Sequence, residues 1–212
     1  GQNGLSPIVL ELSDGTFVYL QGRIDRVDVM TGGGLRVIDY KSGARKFDPT
    51  LVYWGLQLQL LLYMAAAVAR IPESRAAGFF YCRVADPTVK TEIRMKEEVE
   101  KQIAKKLALS GITLSDVSIL RAQGGAQAGM VTKDGKPNGR YASSMVTDEG
   151  MEHLIAFARN KATTLAGDIY AGMIDDSPYE RGSLNACQSC DYAPICTFDP
   201  ERKPRRRLSA KT

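Results

Sequence analysis

The chain has one histidine, one tryptophan and four cysteines among 212 residues, and it contains no long uninterrupted apolar run. Each scarcity removes a class of protein. His153 stands alone in a segment that reads as helix, so no serine or cysteine protease arrangement can be built around it, and it is assigned to the surface or to packing. Four cysteines are too sparse for a disulfide-stapled secreted fold. The longest apolar stretch, Leu51 to Val68, is broken by Gly55, Gln57 and Gln59, and no charged segment followed by a cleavable apolar one opens the sequence. No membrane partner or export signal is therefore expected. The glycine turn from Thr31 to Gly34 lacks the lysine and spacing of a phosphate-binding loop, which excludes nucleotide hydrolysis at that turn.

What is present suits one globular domain: 44% apolar and 25% charged residues allow a sizeable core and exclude a disordered chain. The net charge of +4 is compatible with a polyanionic partner but leaves the partner open. The first third alternates as strands do, in Ile8 to Leu12, Phe17 to Gln21, Gly22 to Met30 and Leu35 to Tyr40, with turn residues between them. These runs predict an antiparallel meander. Asp48 and Pro49 suit the N-cap and first residue of a buried helix running to about Arg70, ended by Pro72. A strand is expected over Ala77 to Val84 and an amphipathic helix over Lys96 to Leu109, ending at Gly111. Residues 123–146 read as a long loop before a helix from Asp148 to about Met173, with Thr147 as its cap. The run Arg202 to Arg207 reads as a solvated basic tail rather than a phosphate clamp.

The informative segments are Gly22-Arg-Ile-Asp-Arg-Val-Asp28 and Val37-Ile-Asp-Tyr-Lys41-Ser-Gly43. Strand side chains alternate, so Asp39 and Lys41 share one face. A turn that pairs Met30 with Gly34 sets Val27 opposite Val37 and Asp25 opposite Asp39. Two carboxylates side by side ask for a cation. Magnesium takes oxygen ligands and keeps several waters, so Asp25, Asp39 and the carbonyl of Tyr40 leave room for water and a phosphate oxygen. Lys41 can then hold or help deprotonate the attacking water and offset phosphate charge, tasks eased if its amine loses proton affinity near the metal. Such a set hydrolyses phosphodiesters. The same residues also suit an ordinary solvated hairpin end with weak surface ion pairs. Asp28, on the opposite strand face, is assigned to structure.

These segments, followed by Gln59-Leu-Leu-Leu-Tyr63, resemble the second, third and Gln-x-x-x-Tyr motifs of the PD-(D/E)XK nucleases, in that family's order, and most closely its RecB-like branch and the AddB-like nuclease domains within it. The resemblance covers about residue 8 to Pro200. It implies a restriction-endonuclease-like α/β fold, a mixed sheet with an antiparallel meander flanked by helices. It also implies metal binding by Asp25 and Asp39 with Mg2+ or Mn2+, catalysis by Lys41, and DNA binding by Gln59 and Tyr63. Gln59 and Tyr63 lie four residues apart and so share a helix face. Their polar tips would equally suit buried backbone groups.

Cys187-Gln-Ser-Cys190 and, after five intervening residues, Cys196 have a spacing that suits zinc or an iron-sulfur cluster. In the AddB-like family three such cysteines join a fourth on the N-terminal side to hold a structural [4Fe-4S] cluster. Here no cysteine precedes the motif strands, which predicts a fragment begun after the helix that carries it. Cys82, in Phe79-Phe-Tyr-Cys82, reads as a core strand residue rather than the fourth ligand. Glu11 and Asp14 are the acidic residues that precede the motifs, and neither is assigned to the site.

The expectation is therefore a RecB-like nuclease domain over residues 1–200, with a cysteine-bearing segment at 185–200 and a flexible tail at 201–212. By resemblance it acts in the bacterial cytoplasm, cutting single-stranded DNA delivered by a helicase motor region or AddA-type subunit during double-strand break repair. The alternatives are a catalytically idle, cluster-bearing DNA-binding scaffold, and a CRISPR-associated nuclease of the same fold.

Overall fold

The computed structural model describes residues 7–30, 32–43, 45–85, 96–124 and 129–209. Strands β1 (Ile8–Glu11) and β2 (Phe17–Leu20) form a hairpin closed by Asp14, whose side chain accepts from the Thr16 amide at 2.9 Å. The hairpin is its own two-stranded sheet, so the antiparallel pairing of the first third is divided between two sheets. Leu10 is buried against the core, while Val9, Phe17 and Tyr19 face outward.

The main sheet has the order β3-β4-β5-β6-β7, formed by Arg26–Val29, Gly34–Lys41, Arg75–Arg83, Ser110–Leu114 and Met145–Val146. It is mixed, as expected: β3 with β4 and β5 with β6 are antiparallel, whereas β4 with β5 and β6 with β7 are parallel. Parallel neighbours need a crossover, and helices α1 (Pro49–Tyr53) and α2 (Gln59–Arg70) supply it between β4 and β5. Leu35 and Val37 on β4 and Phe79 on β5 join Leu60, Leu61 and Met64 of α2 in the core. Each such side chain contributes about 1.5–3 kcal/mol by leaving water. Helix α5 (Asp148–Tyr170) closes this layer with Met151 and Ala158.

Four expectations are corrected. The helix expected over 49–70 is two helices. Asp48 caps the first, accepting from the Thr50 amide, but Gly55 takes φ +83°, and a Cβ there would lie 3.0 Å from Leu165 Cδ1 on α5. The positive φ favours glycine, and Leu165 would have to give way to a Cβ. The helix expected to reach Leu109 is α3 (Lys96–Lys106), and Gly111 does not stop it but lies within β6, where a Cβ would fall 1.9 Å from the Phe79 carbonyl oxygen. The expected loop at 123–146 begins where helix α4 (Val117–Gln123), capped by Asp116, ends, and it is shortened by a 3-10 turn and β7 near its end. Its residues 125–128 lie outside the described residues. The basic run expected as a tail contains β10 (Arg206–Arg207), paired in parallel with β8 (Tyr179–Arg181), which in turn pairs with β9 (Leu184–Asn185). Asp176 and Glu180 neutralise Lys203, Arg205 and Arg207, and Leu208 is buried. Residues 210–212 lie outside the described set. Helix α5 has the expected Thr147 cap and ends at Tyr170 rather than Met173.

Arg75, at the start of β5, ties this architecture together through Asp148 (2.5 Å) and Asp116 (3.0 Å), the first residue of α5 and the cap of α4. The hydrogen bond from Ser118 and the Arg75 guanidinium hold the Asp116 carboxyl down to about 2. A folded-state value below the unfolded one, about 3.9, means stability present above pH 4 and lost as pH falls toward 2. Thermal melts between pH 4 and pH 2 are expected to show the midpoint falling less steeply in Arg75→Ala than in the wild type. Equal slopes would exclude the brace. No described helix is long and apolar enough to cross a membrane.

Candidate active site

The row Leu35, Val37, Asp39, Lys41 runs along the face of β4 that α2 covers, apolar while buried and charged where it emerges. The register of β3 and β4 is the one expected, with Val27 opposite Val37 and Arg26 opposite Ile38. Its continuation sets Asp25 in line with Asp39. Asp25 lies just before β3, is exposed, and its Oδ2 accepts from the Tyr40 amide at 2.9 Å. The Tyr40 peptide is thus held at the Asp25 carboxylate. Asp28 is paired with Arg26 and Arg36 on the opposite face, which fits its structural assignment.

Asp39 is 2% exposed. Its Oδ2 lies 2.6 Å from Lys41 Nζ, an ion-pair distance, yet the atom has no partner in hydrogen-bond geometry among the described residues. Lys41 Nζ instead donates to Gln59 Oε1 at 3.2 Å, and Gln59 Nε2 donates to the Tyr63 hydroxyl at 2.9 Å. Gln59 opens α2 and Tyr63 follows one turn later, so the helix aims a relay of polar tips at the end of β4. The Tyr63 ring lies against Gly22, where a Cβ would be 3.2 Å from its Cε1. The two residues expected to support DNA binding are thus joined to Lys41, and in this geometry they orient its ammonium group.

A divalent cation fits this donor set in one respect. A buried carboxylate oxygen without a hydrogen-bond partner costs stability unless a cation satisfies it. Asp39 Oδ2 is such an atom, met among the described residues by the Lys41 ammonium alone, and Asp25 with the Tyr40 peptide stands beside it. The protein ligands are few: among the described residues no three His, Cys, Asp or Glu side chains gather into a metal-holding group. Magnesium tolerates this because it retains waters.

The same test goes against a ready-made cluster site. Cys187 is half-buried and Cys190 and Cys196 are exposed, all three as free thiols that do not assemble into a ligand group. Asn185 caps the turn at Cys187, and the Phe198 amide donates to Cys196 Sγ at 3.5 Å. Cys82 is half-buried on β5.

Several residues escaped sequence reasoning. Gln57 is 4% exposed and clamps the loop after Lys41, accepting from the Asp48 amide and donating to the Lys46 carbonyl. Arg181 on β8 pairs with Asp48, and Trp54 donates to the Ser209 carbonyl, so the C-terminal segment is latched to α1. Tyr81 lies beside Asp39 in the β4–β5 register. Burial pushes its phenol up, Asp39 adds to that, and Arg45 opposes it, so Tyr81 is neutral at pH 7. A buried glutamine between two apolar residues is the one sequence signal that pointed to any of these.

The model of the PD-(D/E)XK nuclease superfamily matches residues 2–197. A protein of Alkaliphilus metalliredigens, named as a subunit of an ATP-dependent helicase/deoxyribonuclease, is 35% identical over 215 residues, 93% of this chain and 18% of that protein. Proteins of the same name from Clostridium botulinum strain Hall and Moorella thermoacetica are 37% and 36% identical over 91% and 93% of this chain, again 18% of each relative. The chain thus spans about 18% of the length of these curated relatives.

Proposed function

The chain belongs to the PD-(D/E)XK nuclease superfamily, and from that premise we propose that it hydrolyses phosphodiester bonds of single-stranded DNA with Mg2+ or Mn2+, as the exonuclease part of a longer helicase-nuclease. The observation that carries this reading is the buried Asp39 carboxylate, whose Oδ2 is ion-paired with Lys41 Nζ at 2.6 Å but makes no other polar contact in hydrogen-bond geometry among the described residues, at a strand end level with Asp25. Asp25, Asp39 and the Tyr40 carbonyl would hold the cation. When bound, it activates water and offsets charge on the phosphate. Water attacks phosphorus, the bond to one deoxyribose oxygen breaks, and the proton that the water gives up ends on that leaving oxygen. Lys41 Nζ, held by Gln59, faces charge that builds on the non-bridging oxygens. Tyr63 holds the Gln59 amide in the orientation that presents its oxygen to Lys41.

The helicase partner is supported by the relatives' names, and the ATP-driven motor is assigned to another region or subunit. A [4Fe-4S] cluster on Cys187, Cys190 and Cys196 belongs to the same reading on the strength of their spacing; it would require these thiols to gather with a fourth ligand, and no chemical step depends on it.

The test is cleavage of end-labelled single-stranded DNA with and without Mg2+ or Mn2+. Fragments are expected only with the metal, and EDTA stops their formation. Binding without cleavage under either metal overturns the reading in favour of a DNA-binding scaffold.

A further inference from the structure

We propose that a cleft beside the carboxylates is a second phosphate subsite, in which Arg83, Arg45 and Lys105 hold the DNA backbone on one side of the bond being cut. This rests on the nuclease reading and adds to it which way the strand lies across the sheet. In the parallel β4–β5 register Asp39 pairs with Tyr81 and Lys41 with Arg83. Paired residues of adjacent strands share a face, so Arg83 stands beside Lys41 at one strand spacing, about 4.8 Å. Tyr81 and Arg83 also line a cleft of about 1020 Å³ that continues over β6 to α3. The cleft therefore adjoins the carboxylate site along a single sheet face.

Its charge is one-sided. Among the described residues, Arg45, Lys46, Arg83, Lys105 and Lys106 line it against one acid, Glu98. Arg36, Arg75 and Arg181 elsewhere each have an aspartate, whereas Arg45, Arg83 and Lys105 have no carboxylate partner among the described residues. Arg45 rests over the Tyr81 ring at 5.6 Å. Arg83 Nε is buried and has no hydrogen-bond partner among the described residues. The Arg83 guanidinium lines the cleft, and a guanidinium matches phosphate in both charge and planar geometry. A lone phosphate would not need several cations spread along an open cleft. A strand with phosphates at regular intervals does. Gln59 and Tyr63 lie on the α2 side of Lys41, so the two sides of the scissile bond meet different chemistry, cationic toward β6 and neutral toward α2. That asymmetry makes Arg83 and Arg45 determinants of strand polarity.

The experiment measures binding of a fluorescent single-stranded oligonucleotide by anisotropy over a KCl series, together with steady-state cleavage, for the wild type, Arg83→Gln, Arg45→Gln, Lys105→Gln and Lys41→Ala. Arg83→Gln and Arg45→Gln are expected to weaken binding about tenfold and to flatten the log–log salt slope by about 0.7 per lost contact. The loss falls more on KM than on kcat, while Lys41→Ala loses kcat and keeps affinity. Arg83→Lys retains the charge and is expected to restore the salt slope but only part of the affinity. If Arg83→Gln fails to fold by circular dichroism, the exposed Arg45 and Lys105 variants carry the test. A wild type that binds and cuts, with variants of unchanged affinity and slope, overturns the subsite alone. A wild type that neither binds nor cuts overturns the nuclease reading and the subsite with it.

Discussion

Asp39→Asn is expected to lower metal-dependent cleavage by more than about a hundredfold, beyond the 10–100-fold that loss of an outer-sphere metal partner causes, without lowering the thermal midpoint measured in EDTA. The two halves of this result have one cause. Asp39 is 2% exposed and its Oδ2 makes no hydrogen bond, so in the absence of a cation the carboxylate carries a desolvation penalty that Lys41 only partly offsets. Asparagine keeps the shape and removes the charge. Lys41, a quarter exposed, retains Gln59 as an acceptor and reaches water, so no second buried charge is orphaned. Adding Mg2+ should raise the midpoint of the wild type, because a ligand that binds the folded state stabilises it, and should leave the variant unmoved. Cleavage by Asp39→Asn within a few-fold of wild type would remove the metal-carboxylate mechanism.

Lys41→Ala is expected to abolish cleavage to the same degree while DNA affinity changes by less than about threefold, since one cation among several in the region is lost. Its stability should behave in the opposite way to that of Asp39→Asn. Removing the ammonium leaves the Asp39 carboxylate buried with neither ion pair nor hydrogen bond, so the midpoint in EDTA should fall, and Mg2+ should recover it. Differential scanning fluorimetry with and without Mg2+ separates the two variants on one plate. A Lys41→Ala protein that cuts DNA normally would sink the assignment of Lys41. If its midpoint in EDTA is unchanged, the ion pair with Asp39 contributes nothing to the fold.

The opposed effects of these variants follow from a feature legible in part from the sequence. Period-2 alternation put Asp39 and Lys41 on one face, and the glycine turn set the register that aligns Asp25 with them. What alternation could not tell is depth. Asp39 is nearly inaccessible because β4 lies between β3 and β5, whereas Asp25 is exposed in the loop just before the edge strand β3. The Gln59–Tyr63 pair was legible as one helix face, whereas the acceptance of a hydrogen bond from Lys41 depends on where Gly55 breaks the helix.

Elements set by local pattern came through: the strands beside Asp25 and at Asp39, the caps at Asp48 and Thr147, and the long α5. Local composition misled where a partner strand or helix overrode it. Gly111 looks like a helix stop and is instead the only residue that fits against the Phe79 carbonyl. Arg206 and Arg207 look like a solvated tail and instead extend a small sheet beside Glu180. By itself the sequence determined the order of the motif strands, the shared face of Asp39 and Lys41, and the spacing of Gln59 and Tyr63, because those depend on backbone periodicity along one segment. Only the tertiary structure decided that Asp39 Oδ2 is buried against the Lys41 ammonium, that Gln59 steers Lys41, and that Arg83 lies beside it on the next strand. Those facts depend on which segments meet across the sheet, and long-range packing, not local pattern, selects that.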